Sequence, residues 1–424
     1  MTRYNVDMSV KKIVAINTVS QLIGKLIGAG TSFVVAFLLA RRLGAEGYGD
    51  FTKITTFVAP FFLLADFGLN AIFLQKKDDK GWWAHLLGLR VAGSTILIFL
   101  ALAILAFLPH GTNQGYTALV RLGIVLFVPA ILFQALITTS NALFQKHLRY
   151  SMATIAIAAG SFVTILLVLP LSTGVLAATL AVLVGTSVTA AISLVLVKRH
   201  TLLSVALSRQ SVTGLLVPSI PLGITLLFNL VYFRADNYII TLSRPTVEVG
   251  VYGLAYKVFE VALVVPTFFM NAVYPLLLSA KANNSTIQQF NTQHFLRIIK
   301  KSFTFLVLSS LLLVVALWAT APLLSLIKQE FDASISALRV LSLGLPFFFL
   351  TSLTMWTLIA LKKQWTLAGI YGASMVFNIF ANIWLIPVYG YMAAAWVTVV
   401  SEAVVLVVSS LYLRRSLTYV KMIE

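Results

Sequence analysis

Two ionisable residues interrupt the apolar segment YGLAYKVFEVALVVP, which runs from Tyr252 to Pro266. Lys257 and Glu260 are three residues apart, so on a helix their side chains project from nearly the same face. An ion in hydrocarbon costs about 2.5–3.5 kcal/mol on insertion scales, and such residues usually face a bundle interior or a watery cavity. The lysine therefore predicts an anion site, and Glu260 is either its counter-ion or a proton-coupling group.

Other cations share this property. Seven basic residues lie within apolar segments, namely Lys25, Lys53, Arg90, Arg121, Arg234, Lys257 and Arg339. Arg90, Arg121 and Arg339 are near segment ends, where a long side chain reaches the headgroups by snorkelling. Lys25 is roughly ten residues, or ~15 Å, inside its segment. Lys53, Arg234 and Lys257 are about 8–12 Å deep. We predict that these four deeper residues line a cationic substrate-binding cavity, with ion pairing or snorkelling as the alternative.

The composition identifies the class of protein. Of 424 residues, 59% are hydrophobic and 10% are charged, and the mean hydropathy is +0.96. A soluble domain is about 45–50% apolar with ~25% charge, so this is a polytopic membrane protein. The net charge of +18 is spread over short loops, which argues against nucleic-acid binding. The absence of cysteine excludes thiolate metal sites, disulfides and cysteine nucleophiles.

Apolar windows of about 20 residues or more predict about twelve transmembrane helices. They lie near residues 14–40, 51–75, 82–108, 116–145, 151–170, 174–197, 212–242, 249–279, 301–324, 336–361, 365–387 and 390–413. Lysine and arginine concentrate in the two tails and the even-numbered loops. By the positive-inside rule, both termini are cytoplasmic.

The two halves of the chain share motifs. YGDFTK, which ends at Lys53, recurs as YGLAYK, which ends at Lys257, and a glycine between apolar segments, Gly174, recurs as Gly390. Each half holds six predicted helices, so the repeats cross the membrane in the same direction. Repeats of this kind place a substrate site at their interface.

The repeat predicts the architecture. We expect an all-α integral membrane protein of two six-helix bundles, residues 1–200 and 201–424, around a central cationic cavity. Lys53 and Lys257 hold equivalent positions and would face each other across that cavity. Glu260 has no acidic counterpart in the first half.

Three motifs carry a family resemblance: RRLGAEGYGDF, LLADFGLN and NIFANIWLIPVYGYMAAAWVTVVSEAVV. The chain resembles, from Asn17 to the last span, the lipid-linked oligosaccharide (O-antigen type) flippases. These form the polysaccharide-export branch of the multidrug/oligosaccharidyl-lipid/polysaccharide exporter superfamily. The resemblance implies alternating access in the bacterial cytoplasmic (inner) membrane. The substrate would be an undecaprenyl-diphosphate-linked oligosaccharide, moved from the cytoplasmic to the outer leaflet for polysaccharide biosynthesis.

The resemblance also implies roles for individual residues. Related lipid II flippases place basic residues in helices one, two and eight, and Lys25, Lys53 and Lys257 occupy those positions here. A lysine ammonium binds phosphate as a point charge. The relatives favour arginine, so the bidentate grip of a guanidinium is missing while the charge attraction remains.

Some members of the superfamily couple transport to sodium, and this chain offers a similar set of oxygens. Asp236 supplies the acid, Asn378 and Asn382 lie one turn apart on one helix face, and Thr398 follows on the next helix. An amide, Asn382, stands where a second acid is expected, so a single carboxylate makes a weak site. Alternatively, the amides tie helices together by hydrogen bonds. Na+ or H+ is the expected coupling ion, the metal is unknown, and no other cofactor is predicted.

The remaining acids within apolar segments are Asp66, Glu260 and Glu402. Burial raises the pKa of a carboxyl group in general, so each is a proton-coupling candidate. Each is equally a candidate counter-ion, Glu260 to Lys257 and Asp66 to a cavity base.

Two other function classes fit the sequence less well. An enzyme that polymerises or ligates oligosaccharides would need a large outer loop, whereas the odd-numbered loops are short and the five histidines have no metal-ligand spacing. A multidrug or other small-molecule antiporter of the same superfamily would export cationic or apolar drugs, which a cavity with lysines repels. We therefore predict a secondary transporter, with membrane lipids, a polysaccharide polymerase and chain-length machinery as further partners.

Overall fold

The computed structural model describes residues 2–76, 79–199, 201–282 and 292–423, and the regular elements in these ranges are helical. They are α1 (Thr2–Asp66), α2 (Leu69–Leu74), α3 (Asp79–Phe107), α4 (Ala118–Phe127), α5 (Ala130–Lys146), α6 (Tyr150–Leu171), α7 (Val175–Val197), α8 (Arg209–Ser211), α9 (Val217–Ser243), α10 (Thr246–Ala262), α11 (Val264–Ala282), α12 (Thr292–Thr320), α13 (Asp332–Leu343), α14 (Leu345–Ala360), α15 (Gln364–Tyr389) and α16 (Tyr391–Ile423). A π-helical turn, Val212–Leu216, precedes α9, and two 3-10 turns, Ala321–Leu324 and Gln329–Phe331, precede α13.

Gly44 divides α1 into two helices. Its φ of 71° and ψ of −173° lie outside the helical region, in a conformation that glycine adopts without steric cost. The apolar segment around it, Ile16–Leu74, has 59 residues. At ~1.5 Å per residue this far exceeds the ~30 Å hydrocarbon core, so the segment crosses the membrane twice.

The described residues contain eleven helical segments that are long and apolar enough to cross a membrane. Because the first is two crossings, these segments account for the twelve spans predicted from hydropathy. The prediction of an all-α, multi-pass membrane protein is confirmed. Helix ends differ in places: α12 begins at Thr292 rather than near 301, and α16 ends at Ile423 rather than near 413. Both helices extend beyond their apolar windows into segments that contain basic residues.

The chain packs as two units, Met1–Leu230 and Val231–Glu424. The division falls within α9, whereas the boundary predicted near residue 200 was drawn from the sequence repeat. Contacts of Gly68 with Leu222 and of Gly223 with Phe67 join the first part of α9 to the N-terminal unit.

Close packing of α6 on α7 is prominent in the N-terminal unit. Gly160 faces Thr189 and Gly185 faces Thr164, and a Cβ on either glycine would overlap the threonine hydroxyl. Small residues let membrane helices approach closely. Here each helix contributes a glycine that faces a threonine of the other helix.

In the C-terminal unit, α10 packs against α13, while α14 packs against both α12 and α16. The buried face of α10 includes Tyr252, Tyr256 and Phe259, and Phe259 meets Phe348 of α14 edge to face at 5.4 Å. These residues recur every three or four positions, which is the stripe that a helix buries. The same periodicity leaves Lys257 and Glu260 on the half-exposed side of α10.

Candidate functional site

Arg234, Lys257 and Glu260 form an ion-paired cluster in the C-terminal unit. Glu260 accepts a hydrogen bond from Arg234 Nη2 at 3.0 Å through Oε1 and from Lys257 Nζ at 3.2 Å through Oε2. The side chains of Arg234, Lys257 and Glu260 are 29%, 28% and 38% exposed. One carboxylate thus serves two cations that are neither fully buried nor freely solvated.

Two helices position this cluster. The i, i+3 spacing on α10 brings Lys257 beside Glu260, as the sequence predicted. Arg234 comes from α9, and its guanidinium lies 5.5 Å from the ring centroid of Tyr256. That ring is held in turn by a hydrogen bond from its hydroxyl to the Phe233 carbonyl at 3.3 Å. A guanidinium over an aromatic face is electrostatically favourable, so the contact fixes the arginine's orientation.

The cluster carries one net positive charge when all three groups are ionised. An arginine fork and a lysine ammonium are the donors that bind phosphate oxygens most strongly. Arg234 and Lys257 both donate to the Glu260 carboxylate, so their donors are already held close together. An anion of higher charge would compete with Glu260 for these two donors. The chemistry available here is anion binding.

Lys53 lies in a different environment from its repeat partner Lys257. Its side chain is only 1% exposed, and its ammonium donates to the Gly115 carbonyl at 3.0 Å. The carboxylate of Asp50, one turn earlier, also attracts it. The two lysines of the repeat are therefore not equivalent in this conformation, because the loop that contains Gly115 covers Lys53. Substrate binding by Lys53 stays a prediction.

Lys25 is exposed on the first part of α1. Its depth in the membrane and its role in binding an anion stay predictions.

Arg90 corrects one interpretation of the sequence. It does not snorkel to the headgroups: its side chain is buried inside the N-terminal unit. Its Nη2 lies 2.6 Å from Asp66 Oδ1 and 2.7 Å from Asn70 Oδ1, and its Nη1 donates to the Ala65 carbonyl. Ala65, Asp66 and Asn70 all belong to the LLADFGLN motif. This motif therefore supplies the hydrogen-bond acceptors of a buried arginine. Asp66 is the counter-ion of Arg90.

Asp236, the predicted coupling acid, is buried on α9. Its Oδ2 accepts a hydrogen bond from the Tyr252 hydroxyl at 2.5 Å, and its Oδ1 accepts from the backbone NH of Asn237 at 2.7 Å. The Tyr252 hydroxyl also interacts with the side chain of Thr398. The structure thus links Asp236 of α9 to Thr398 of α16 through a tyrosine that the sequence did not single out.

Asn378 and Asn382 of α15 form a second polar group, which also contacts α16. Asn378 donates to Ser401 Oγ at 3.0 Å, and Asn382 donates to Asn378 Oδ1 at 2.9 Å. The contact with Ser401 ties α15 to α16, as the structural alternative predicted. In the described part of the chain, however, Asn382 Oδ1 is buried without a hydrogen-bond partner. An orphaned amide oxygen suits a hard cation, so these residues fit a coupling ion. The described residues contain no group of three or more His, Asp or Glu that could hold a metal.

Glu402 has a partner that sequence reasoning missed. This carboxylate is buried on α16, where its Oε2 accepts a hydrogen bond from the Tyr232 hydroxyl of α9 at 2.9 Å. The Tyr232 ring lies edge to face against Phe233 at 5.1 Å and Tyr371 at 6.3 Å. The aromatic residues of α9 and α15 were the available signal, but no local spacing relates them to Glu402.

Arg244 and Glu248 connect the junction of α9 and α10 to the junction of α15 and α16. Arg244 donates to Glu248 Oε1 from Nε at 2.9 Å and from Nη2 at 2.6 Å, and its Nη1 reaches the Pro387 carbonyl at 3.1 Å. Glu248 Oε2 accepts from the backbone NH of Tyr391 at 3.0 Å. The hydrogen bond to Glu248 raises the pKa of the Arg244 guanidinium above its ordinary value.

The comparison with known families gives a decisive match. A family model described as polysaccharide biosynthesis protein covers residues 14–283, well over half of the chain. The chain belongs to the polysaccharide biosynthesis protein family. Among curated proteins, none matches the chain significantly in sequence.

Solved structures share its fold. The inward-facing conformation of a multidrug resistance MATE family transporter of the MOP superfamily gives a TM-score of 0.75 at 16% identity, over 96% of this chain and 99% of that one. Lipid II flippase MurJ, inward closed, gives 0.75 at 15% identity, over 96% and 90%. A MOP superfamily transporter from Pyrococcus furiosus Vc1 (DSM3638) gives 0.62 at 15% identity, over 97% and 96%. The fold is that of the MOP superfamily, and the resemblance inferred from the motifs is confirmed at that level.

Proposed function

We propose that this protein is a lipid flippase that moves an undecaprenyl-diphosphate-linked oligosaccharide, an O-antigen unit or similar, from the cytoplasmic to the outer leaflet by alternating access. The observation that carries the proposal is the cluster of Arg234, Lys257 and Glu260. It offers two cations and a displaceable carboxylate at a partly exposed position within an apolar helical unit.

The substrate's chemistry matches that cluster. A diphosphate is a multivalent anion, so its entry into the membrane is costly unless cations offset its charge. Glu260 holds the two cations in place when the diphosphate is absent, which keeps them from repelling each other. The diphosphate then competes with this carboxylate for the same N–H donors, and release of the substrate restores the ion pairs.

Lys25 and Lys53 are proposed as further cationic contacts. Lys25 is exposed in this conformation. Lys53 would have to release the Gly115 carbonyl before its ammonium could reach a substrate, so its contribution belongs to another step of the cycle.

We further propose that Na+ or H+ drives transport through Asp236, Thr398, Asn378 and Asn382. Their connection through Tyr252 and Ser401 to one helix, α16, supports this role. A site with one carboxylate and neutral oxygens binds a monovalent cation weakly, as a coupling ion that must leave in each cycle requires.

A multidrug or other small-molecule antiporter is the second candidate function. The MATE family transporter matches the fold as well as the flippase does, with a TM-score of 0.75 for each. The net positive cluster in the C-terminal unit would repel cationic drugs, which favours the anionic substrate. No covalent chemistry is proposed for either function. A polysaccharide polymerase and chain-length machinery are proposed partners downstream.

Reconstitution into proteoliposomes tests the proposal. A fluorescent undecaprenyl-diphosphate-linked oligosaccharide is added, and its leaflet position is measured with a membrane-impermeant quencher. We expect protein-dependent flipping that falls at least tenfold when Arg234→Gln and Lys257→Gln are combined, since hydrogen bonds to charged groups contribute ~1.5–3 kcal/mol each. Lys328→Gln is the matched control, because it breaks an exposed Lys–Glu pair of 3.1 Å elsewhere in the same unit. Export of a cationic dye with no flipping would instead support the antiporter.

A further inference from the structure

The C-terminal unit also contains a groove whose lining includes none of the residues of the ion-paired cluster. Helices α12 and α16 both pack on α14, and between them they leave a cavity of about 420 Å³. This is within the ~300–1,000 Å³ of sites that hold small ligands. Its walls are apolar, with Leu296 and Phe303 from α12 and Leu413 and Leu417 from α16.

The floor of the groove comes from α14. Leu353 and Thr354 line it, and the Thr354 hydroxyl is already hydrogen bonded to Ser409 of α16 at 3.0 Å. The Thr354 hydroxyl is therefore already engaged within the protein, and the rest of the floor is apolar. Along α12, the wall extends from Leu296 to Phe303, which is ~10 Å at ~1.5 Å per residue.

One end of the groove is cationic. Arg414 lines it directly, and the stretch of α12 from Leu296 to Phe303 also carries three exposed cations outside the lining, Arg297, Lys300 and Lys301. Over the full lengths of α12, α14 and α16, the sequence contains one acidic residue, Glu402, and it is buried against Tyr232.

The groove thus combines apolar walls about two helical turns long with a positive end. By the distribution of lysine and arginine along the chain, that end faces the cytoplasm. Free phosphate would leave the apolar walls unused, and a cationic amphiphile would be repelled by Arg414. The cytoplasmic leaflet is rich in anionic lipids, which juxtamembrane basic residues attract.

We propose that this groove binds one anionic phospholipid of the cytoplasmic leaflet. Its phosphate lies against Arg414, and an acyl chain follows the apolar walls toward Phe303. A lipid bound there would contact both α12 and α16, which are otherwise connected mainly by packing on α14. The proposal does not depend on which substrate the protein transports.

Native mass spectrometry of the full-length protein in detergent tests the charge requirement. The probes are phosphatidylglycerol and phosphatidylcholine with identical acyl chains. We expect tighter binding of phosphatidylglycerol and about fivefold weaker binding of it in Arg414→Gln, with phosphatidylcholine unchanged. Arg415→Gln is the matched control, since it removes an adjacent exposed cation that does not line the groove, and we expect less than a twofold effect.

A second variant tests the cavity without a change of charge. Ser410→Leu fills the groove and is expected to weaken retention of phosphatidylglycerol, whereas Ser410→Ala leaves it intact. Equal binding of the two lipids, with Arg414→Gln indistinguishable from Arg415→Gln, would overturn the proposal. Displacement of phosphatidylglycerol by undecaprenyl phosphate at equal concentration would also overturn the proposal, because the bound lipid would then be the prenyl carrier. The melting temperature of each variant separates misfolding from loss of binding, and Ser410→Leu keeps the proposal testable if Arg414→Gln unfolds.

Discussion

The Glu260 carboxylate binds Lys257 at 3.2 Å through one oxygen, and this leaves its other oxygen for Arg234 at 3.0 Å. Glu260 therefore does more than neutralise the lysine beside it: it couples a cation of α10 to a cation of α9. The arrangement makes the glutamate a competitor of any anion that uses these donors.

Replacing Glu260 by glutamine tests that competition. We expect Glu260→Gln to bind undecaprenyl diphosphate three- to tenfold more tightly, since a partly exposed ion pair contributes only ~0.2–1 kcal/mol and two such pairs are lost. Flipping slows because release is hindered. The measurement is lipid titration by native mass spectrometry, and Glu330→Gln, in the exposed pair with Lys328, is the control. Unchanged or weaker binding in Glu260→Gln would contradict this role.

The buried arginine of the N-terminal unit gives a prediction about stability. Arg90→Met removes the partner of Asp66 and Asn70, and because the Asp66 side chain is 33% exposed, we expect a cost below the ~3–5 kcal/mol of a fully buried pair. We expect a clearly lower melting temperature in detergent, whereas Arg415→Gln, an exposed arginine, leaves it within a degree or two. A melting temperature for Arg90→Met equal to that of the control would mean that the pair contributes little.

Two glycines of the repeat are predicted to respond differently to alanine. Gly390 has φ +66°, and a Cβ there would lie 2.6 Å from Glu248 Oε2. Gly174, its counterpart, has φ −149° with no atom within 4 Å of such a Cβ. We expect Gly390→Ala to destabilise the protein by about 1–2 kcal/mol and Gly174→Ala to be neutral or slightly stabilising. Comparison of the two melting temperatures decides the matter, and equal shifts would be inconsistent with the geometry.

The coupling residues give a prediction with two opposite variants. Asp236→Asn removes the one carboxylate and is expected to lower the dependence of transport on an ion gradient or membrane potential. Asn382→Asp adds an acid at the unpartnered amide oxygen and is expected to strengthen Na+ binding, seen as a larger rise of melting temperature with added Na+. Choline chloride at the same ionic strength is the salt control, and Asp332→Asn, an exposed acid, is the variant control. A gradient dependence that survives Asp236→Asn would exclude this site.

Much of the molecule was predictable because its cause is local. The spans follow from the transfer free energy of contiguous apolar residues, and the break near Gly44 follows from the polar, glycine-containing RRLGAEGYGD stretch. The pairing of Lys257 with Glu260 follows from helical spacing alone. The repeat drew attention to Lys53, but it could not foresee that the Gly115 carbonyl accepts a hydrogen bond from its ammonium.

The sequence by itself thus determined the membrane class, the helices and the residues whose charge requires an explanation. Only the tertiary structure decided their partners: Asp66 and Asn70 for Arg90, Tyr232 for Glu402, and Tyr391 for Glu248. Hydropathy and helical periodicity are properties of a single segment, so they can be read from neighbouring residues. Which donor meets which acceptor depends on how distant helices pack, and buried polar groups take whichever partner that packing brings within about 3 Å.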